Sequence, residues 1–238
     1  MKLRKLLIVA GIFLFISGCS DFMMICSLNP FYLEKNVTLS PEIEGNWSVN
    51  PIQYKKNSSE KSSNSWEAFD TTSVWKIEQF ISEEKIKSTR GKDSTVFKPQ
   101  NFYVVKLTGS SPDTAKYQFH LTIFRINGVL YGDFCPREIT ALKESRMARE
   151  NYFTVHTLAR IVIQKKQLNI SWLGADYMKD MIEKKRVRIH YRYVPDAGRL
   201  LLTASSEELI NLIERYAGEK RFIDWDDQPA MLHLNRIN

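Results

Sequence analysis

The sequence predicts an α+β fold that is mostly antiparallel β: a curved sheet or partly closed barrel with two C-terminal helices. Three observations predict it. Apolar and polar residues alternate through most of the central chain, Asn127-Gly128 separates two such runs, and helical spacing is confined to the last third. Alternation puts one face of each strand in a core and the other in water, which is the habit of antiparallel sheets. Curvature or partial closure would leave so many strands with few open edges.

Taken in order, residues 20–40 read as a tether, with an aromatic turn at Leu28-Asn29-Pro30-Phe31-Tyr32 and prolines at 30 and 41 that disfavour regular structure. The body begins at Gly45-Asn46-Trp47-Ser48-Val49. Residues 55–65 and 82–95, rich in Ser, Lys and Glu, read as solvated loops that cannot bury enough apolar surface to order themselves. Between and after them come strand patterns: Trp75, Ile77, Gln79 and Ile81; Tyr103, Val105 and Leu107; Tyr117, Phe119, Leu121 and Ile123. Asn127-Gly128 marks a hairpin, because both central residues of such a turn tolerate positive φ. Phe153, Val155, Thr157, Ala159, Ile161 and Ile163 continue the alternation, and residues 166–172 complete another hairpin.

The texture then changes. Tyr177, Met178, Met181 and Ile182 lie at helical spacing within 175–184, which ends in a Lys-rich turn suited to the helix dipole. Residues 188–194 and 199–203 flank Pro195-Asp196-Ala197-Gly198 as a further hairpin. Ser205 and Glu208 form a capping box ahead of the stripe Leu209, Leu212, Ile213 and Tyr216, with Gly218 as the stop. A last strand at 231–234 closes the sheet.

The N-terminus carries Lys2, Arg4 and Lys5, an apolar run over 6–15, and then Ile16-Ser17-Gly18-Cys19. A basic start, a short apolar core and small residues before a cut describe a secretory signal. The run falls short of the roughly 20 residues that span a bilayer. With cysteine directly after Gly18, the segment resembles the signal of bacterial lipoproteins. That resemblance implies a lipid-carrying Cys19 as the first mature residue, and divides the chain into a signal peptide (1–18), a lipidated tether (19–44) and a single β-rich domain (45–238). Each buried acyl methylene contributes roughly 0.8 kcal/mol, so two or three chains make a stable anchor. Ser20, where some inner-membrane lipoproteins carry aspartate, implies the periplasmic face of the outer membrane.

The formal net charge of the 238 residues is +7, of which three charges leave with the signal, so the mature chain carries +4. That surplus makes no case for nucleic acid and suits an anionic lipid surface. Of three cysteines, Cys26 and Cys135 remain once Cys19 is acylated. They are either a disulfide, which the compartment permits, or two free thiols. No Cys-x-x-Cys is present.

Gly45-Asn46-Trp47 is similar to the Gly-x-Trp of lipocalin-like barrels, a resemblance that implies a barrel with the tryptophan plugging one end. More widely, Leu28-Asn29-Pro30-Phe31, Val155-His156-Thr157 and Leu202-Thr203-Ala204-Ser205 resemble a group of uncharacterised bacterial lipoproteins, which implies an envelope setting and no reaction. His120, His156 and Asp133 fall on the polar phase of their strands and are candidate ligands of a divalent metal, or else ordinary solvent-facing residues. Nucleophile-elbow, zinc-protease and phosphate-loop motifs are all missing from the sequence, and no cofactor is called for. Lys184, Lys185, Arg186, Arg188 and Arg192 form the densest basic cluster, suited either to lipid phosphates or to a helix end in water. The expectation is a non-enzymatic, membrane-anchored envelope lipoprotein that binds a lipid-like ligand or a protein partner. The alternative is an envelope hydrolase or metal-dependent enzyme built on His120, His156 and Asp133.

Overall fold

The computed structural model describes residues 24–49, 73–86, 94–109, 117–138, 153–194, 199–217 and 231–237. The signal, Cys19, Ser20, the 55–65 stretch, the 195–198 turn and Gly218 lie outside the described residues. Eleven strands make one sheet: β1 (Cys26–Ser27), β2 (Gly45–Val49), β3 (Val74–Ile86), β4 (Ser94–Thr108), β5 (Tyr117–Ile126), β6 (Val129–Glu138), β7 (His156–Gln164), β8 (Gln167–Trp172), β9 (Tyr191–Val194), β10 (Arg199–Leu202) and β11 (Met231–Arg236). Among the described residues two α-helices follow β8 and β10: α1 (Ala175–Glu183) and α2 (Ser206–Tyr216).

The barrel is closed rather than partly closed. Strands β2 to β8 pair antiparallel in chain order, β11 pairs with both β8 and β2, and a β6–β7 ladder completes a ring of eight strands. Asn127 (φ 49°) and Gly128 (φ 80°) make the β5–β6 turn with the positive φ that its sequence foretold. Strand alternation then sorts side chains into two cores. Inside the ring lie Trp47, Trp75, Ile77, Tyr103, Leu121, Phe134, Ile161, Trp172, Leu234 and their neighbours. Outside it, α1 and α2 cover a second cluster that includes Phe124, Tyr131, Leu158, Met178, Leu202 and Ile213. Strands β1, β10 and β9 extend the sheet from β7 as a flap outside the ring.

Antiparallel alternation gives the ring two ends. At the near end β3 begins, β8 finishes and Met24 bridges Gly174; at the far end lie the start of β2, the Asn127-Gly128 turn and the 165–166 turn. The interior is filled. Trp47 faces Trp75 across the β2–β3 ladder, Trp75 packs on Trp172 from the opposite wall at 6.3 Å, and Trp172 meets Phe134 at 5.4 Å. Ile43, fully buried in a short 3-10 turn over Pro41–Ile43, joins the interior just ahead of β2.

Three expectations need correcting. The segment 24–44 is not a loose tether: Ile25, Phe31 and Ile43 are fully buried, β1 pairs with β7 and β10, and Thr38 N donates to Ile123 O at 2.9 Å. Ile25 and Phe31 bury themselves in the outer core and Ile43 in the barrel interior, where each leaves water for apolar neighbours. Residues 82–95 are only in part a loop, since β3 runs to Ile86 and β4 starts at Ser94. Lastly, Ile81 keeps the phase of Trp75, Ile77 and Gln79 but is not in the core: it lies beyond the ring, where β3 pairs with β4 alone among the described strands, and is 54% exposed.

Candidate functional site

The Gly-x-Trp element is a structural clasp. Gly45 has φ 133°, open to glycine alone without strain, and a Cβ there would come within 3.3 Å of the Arg236 guanidinium. That guanidinium lies over the Trp47 ring at 4.5 Å and donates to Glu42 O, while Trp47 Nε1 donates to Ile43 O at 2.9 Å. Strands β2 and β11 and the 3-10 turn are thereby locked together at the far end. The tryptophan lies inside a barrel, but among packed side chains, not at the floor of an empty cup.

The three candidate metal ligands are not brought together. Asp133 and His156 meet: His156 Nδ1 lies 2.7 Å from Asp133 Oδ1. Asp133, 2% exposed, spends its other oxygen on the Phe31 amide, which donates to Oδ2 at 2.8 Å. One oxygen of the buried carboxylate thus holds the 24–44 segment against the barrel, and the other holds His156 of the neighbouring strand. His120 stands elsewhere. It faces Cys135 across the β5–β6 ladder, and its ring packs on Phe102 at 4.5 Å. Phe102 stacks on Phe80 at 5.1 Å, and the Arg137 guanidinium caps Phe80 at 4.4 Å. Burial, and then the Arg137 charge, hold the His120 pKa below its ordinary value. The ring thus packs with aromatics rather than with Asp133 and His156, and among the described residues no group of three His, Cys, Asp or Glu could hold a metal.

Nor do the described residues complete a nucleophilic centre. Asp133 is the hydrogen-bond partner of His156, and no described serine, threonine or cysteine bonds to that ring. Cys26 and Cys135 are both free thiols. Cys26 flanks β7 on one side and β6 flanks it on the other, so two strand spacings, about 9.6 Å, separate the two chains. That exceeds the reach of a disulfide. Burial raises both thiol pKa values, and the Asp133 charge raises that of Cys135 further, so both stay protonated and weakly nucleophilic.

The basic cluster is exposed at Lys184, Lys185, Arg186, Arg188 and Arg192. Lys184 pairs with Asp180 at 2.7 Å, and Lys185, with φ 55°, forms the turn after α1.

What sequence reasoning missed is an arm. Beyond Ile77, β3 has no β2 partner, and before Tyr103, β4 has no β5 partner. Residues 37 and 38 take the place of β4 beside β5, with Val37 bridging Phe124. The two strands leave the far end as a ribbon about 20 Å long between positions 80 and 86. Ile81 pairs with Pro99 and Glu83 with Phe97, so Ile81, Pro99 and Phe97 share one face, and Phe97 is 61% exposed. The alternation of β3 runs on through Ile81 without a break of phase, so its own pattern carries no signal of where the ring ends.

The chain matches no protein-family model, no curated protein and no solved structure in the three comparisons made. Class therefore rests on the fold: a closed, filled, eight-stranded antiparallel barrel with a helical outer layer and a projecting ribbon.

Proposed function

We propose that this chain is a lipid-anchored protein of the bacterial envelope that performs no chemistry and presents a partner-binding arm on a rigid barrel. The observation that carries the reading is the exposed Ile81–Pro99–Phe97 face on a ribbon leaving a barrel whose lumen is full. Adjacent exposed apolar residues on a projecting element favour a protein partner, whereas a lipid-like ligand would need an apolar cavity. The buried Asp133–His156 pair supports the absence of catalysis, because its hydrogen bonds are spent on structure. Cys19 supplies the anchor and Ser20 directs it to the outer membrane, facing the periplasm. The arm starts from the end of the barrel opposite Met24, so an anchor just ahead of Met24 would leave the arm pointing into the periplasm.

The test uses the full chain expressed in a Gram-negative host. Palmitate should enter the wild-type product and fail to enter Cys19→Ala. Native mass spectrometry of the membrane-extracted protein should show a protein partner that an Ile81→Ser/Phe97→Ser variant loses at unchanged thermal midpoint. A wild-type protein that travels alone, or carries a small apolar molecule that the variant retains, would overturn the partner reading.

A further inference from the structure

The body is fastened close to its own start. Met24 bridges Gly174, and Ile25 N donates to Leu173 O at 2.9 Å. Cys19 lies five residues earlier, and five fully extended residues span at most about 17 Å. An anchor at Cys19 therefore keeps the near end of the barrel within roughly that distance of the lipid headgroups.

Gly174 leads directly into α1, and between α1 and the flap runs a groove of about 460 Å³ whose lining includes Ile182, Tyr191 and Tyr193, with Lys179 and the carboxylates of Asp176 and Glu183 on its α1 side. Strand β9 forms the outer edge of the flap and pairs with β10 alone among the described strands. All four of its residues are exposed, Tyr193 at 57%. Cys26 pairs with Leu201, and Arg199 with Val194, which places the β9–β10 end of the flap level with the chain start. Residues 175–194 and 199–203 hold seven Lys or Arg against three Asp or Glu. Two of the acids are already matched, Asp180 by Lys184 at 2.7 Å and Glu183 by Lys179 at 3.9 Å.

This combination fits a bilayer surface. Tyrosine rests at the boundary between acyl chains and headgroups, with its ring in the apolar layer and its hydroxyl in water. Arginine and lysine lay their stems on the apolar layer and reach phosphates with their heads. We infer that β9 and the adjoining face of α1 form a membrane-contact surface for anionic phospholipid, which fixes how the barrel stands on its anchor. The inference rests on the Cys19 reading and goes beyond it. Acyl chains alone would hold the body near the membrane in any orientation that the short leash allows, whereas this surface selects the one in which the arm points away.

The experiment takes the full chain, purified with its lipid and reconstituted in vesicles of phosphatidylethanolamine and phosphatidylglycerol. A photoreactive p-benzoylphenylalanine replaces Tyr193 in one sample and Lys166, in the exposed far-end turn, in another. Irradiation should attach phospholipid at 193 several times more than at 166. An Arg192→Gln/Arg199→Gln change should reduce that yield in these vesicles and leave it unaltered in phosphatidylcholine. Equal labelling at 193 and 166 in protein that still floats with its vesicles would overturn the inference while leaving the anchor intact. Protein that does not float, and takes up no palmitate in cells, marks failure of the anchor reading and removes the inference with it. Adducts to another protein instead of lipid at 193 would also overturn it and make β9 a protein-docking edge.

Discussion

A methyl group added at Gly132 would lie 2.6 Å from Ile161 Cδ1 and 2.8 Å from Leu121 Cδ1, inside the closed ring. Both neighbours are themselves almost wholly buried, so neither has free volume to move into. Gly132→Ala should therefore cost about 1–3 kcal/mol, the usual range for overpacking a filled core. A lowered denaturant midpoint at unchanged m-value would show it, and an unchanged midpoint would mean that the lumen has slack. His120 gives a prediction of opposite character, in pH. Its folded pKa is depressed, first by burial and then by Arg137, so the native state disfavours the protonated ring. Its contribution is whole above the unfolded value, about 6.5, and is lost as pH falls through the folded one. On acidification from pH 7, wild type should lose thermal midpoint faster than His120→Gln. Parallel curves would show that the ring protonates as easily in the fold as in water.

Among the elements, α2 begins where its sequence says it should. Ser205 Oγ accepts from Glu208 N at 3.3 Å, and Glu208 Oε2 accepts from Ser205 N at 3.0 Å. The backbone bond, followed by contact with His190, holds the Glu208 carboxyl below its ordinary pKa. Ser205→Ala should lower stability by about 1 kcal/mol, the common cost of losing such a cap. Circular dichroism through a thermal melt would check this, with no change expected in the sheet signal below the transition. The capping box was legible because all its partners lie within one helical turn. The arm was not legible, although its residues were in plain view. Whether Ser82 to Lys85 belong to a loop or a strand depends on pairing with residues 95–98, and the end of the β2 pairing at Ile77 then decides that Ile81 is exposed.

For the whole molecule, residues 24–44 are part of the fold. Phe31 is fully buried in the outer core, its amide bonds to Asp133, Ser206 Oγ donates to Pro30 O at 2.7 Å, and Ser40 N donates to the Tyr103 hydroxyl at 2.7 Å. One segment thus ties α2, the outer face of β6 and the interior of β4 together. Phe31→Ala should cost about 3–5 kcal/mol, as large aromatic truncations in cores do. Loss of hydrogen-exchange protection should spread into α2. Protection lost at residues 29–33 alone would show a strap that opens by itself. The same integration shortens the leash between Cys19 and the body, on which the membrane-contact inference depends.

Local chemistry determined much from sequence alone. The strand periods, the Asn127-Gly128 hairpin and the capped helix rest on interactions between residues a few positions apart, which composition and spacing record directly. Only the tertiary structure decided that the sheet closes, because closure requires β6 to find β7 and β11 to find β2, and the pairing edge of a strand leaves no mark in its own alternation. The candidate site divided in the same way. Asp133 and His156, 23 positions apart in the numbering, were foreseen as polar strand residues, but they bond to each other and Asp133 also holds the Phe31 amide, 102 positions away. Period-two patterning says which side of a sheet a residue faces, and only packing says what waits for it there.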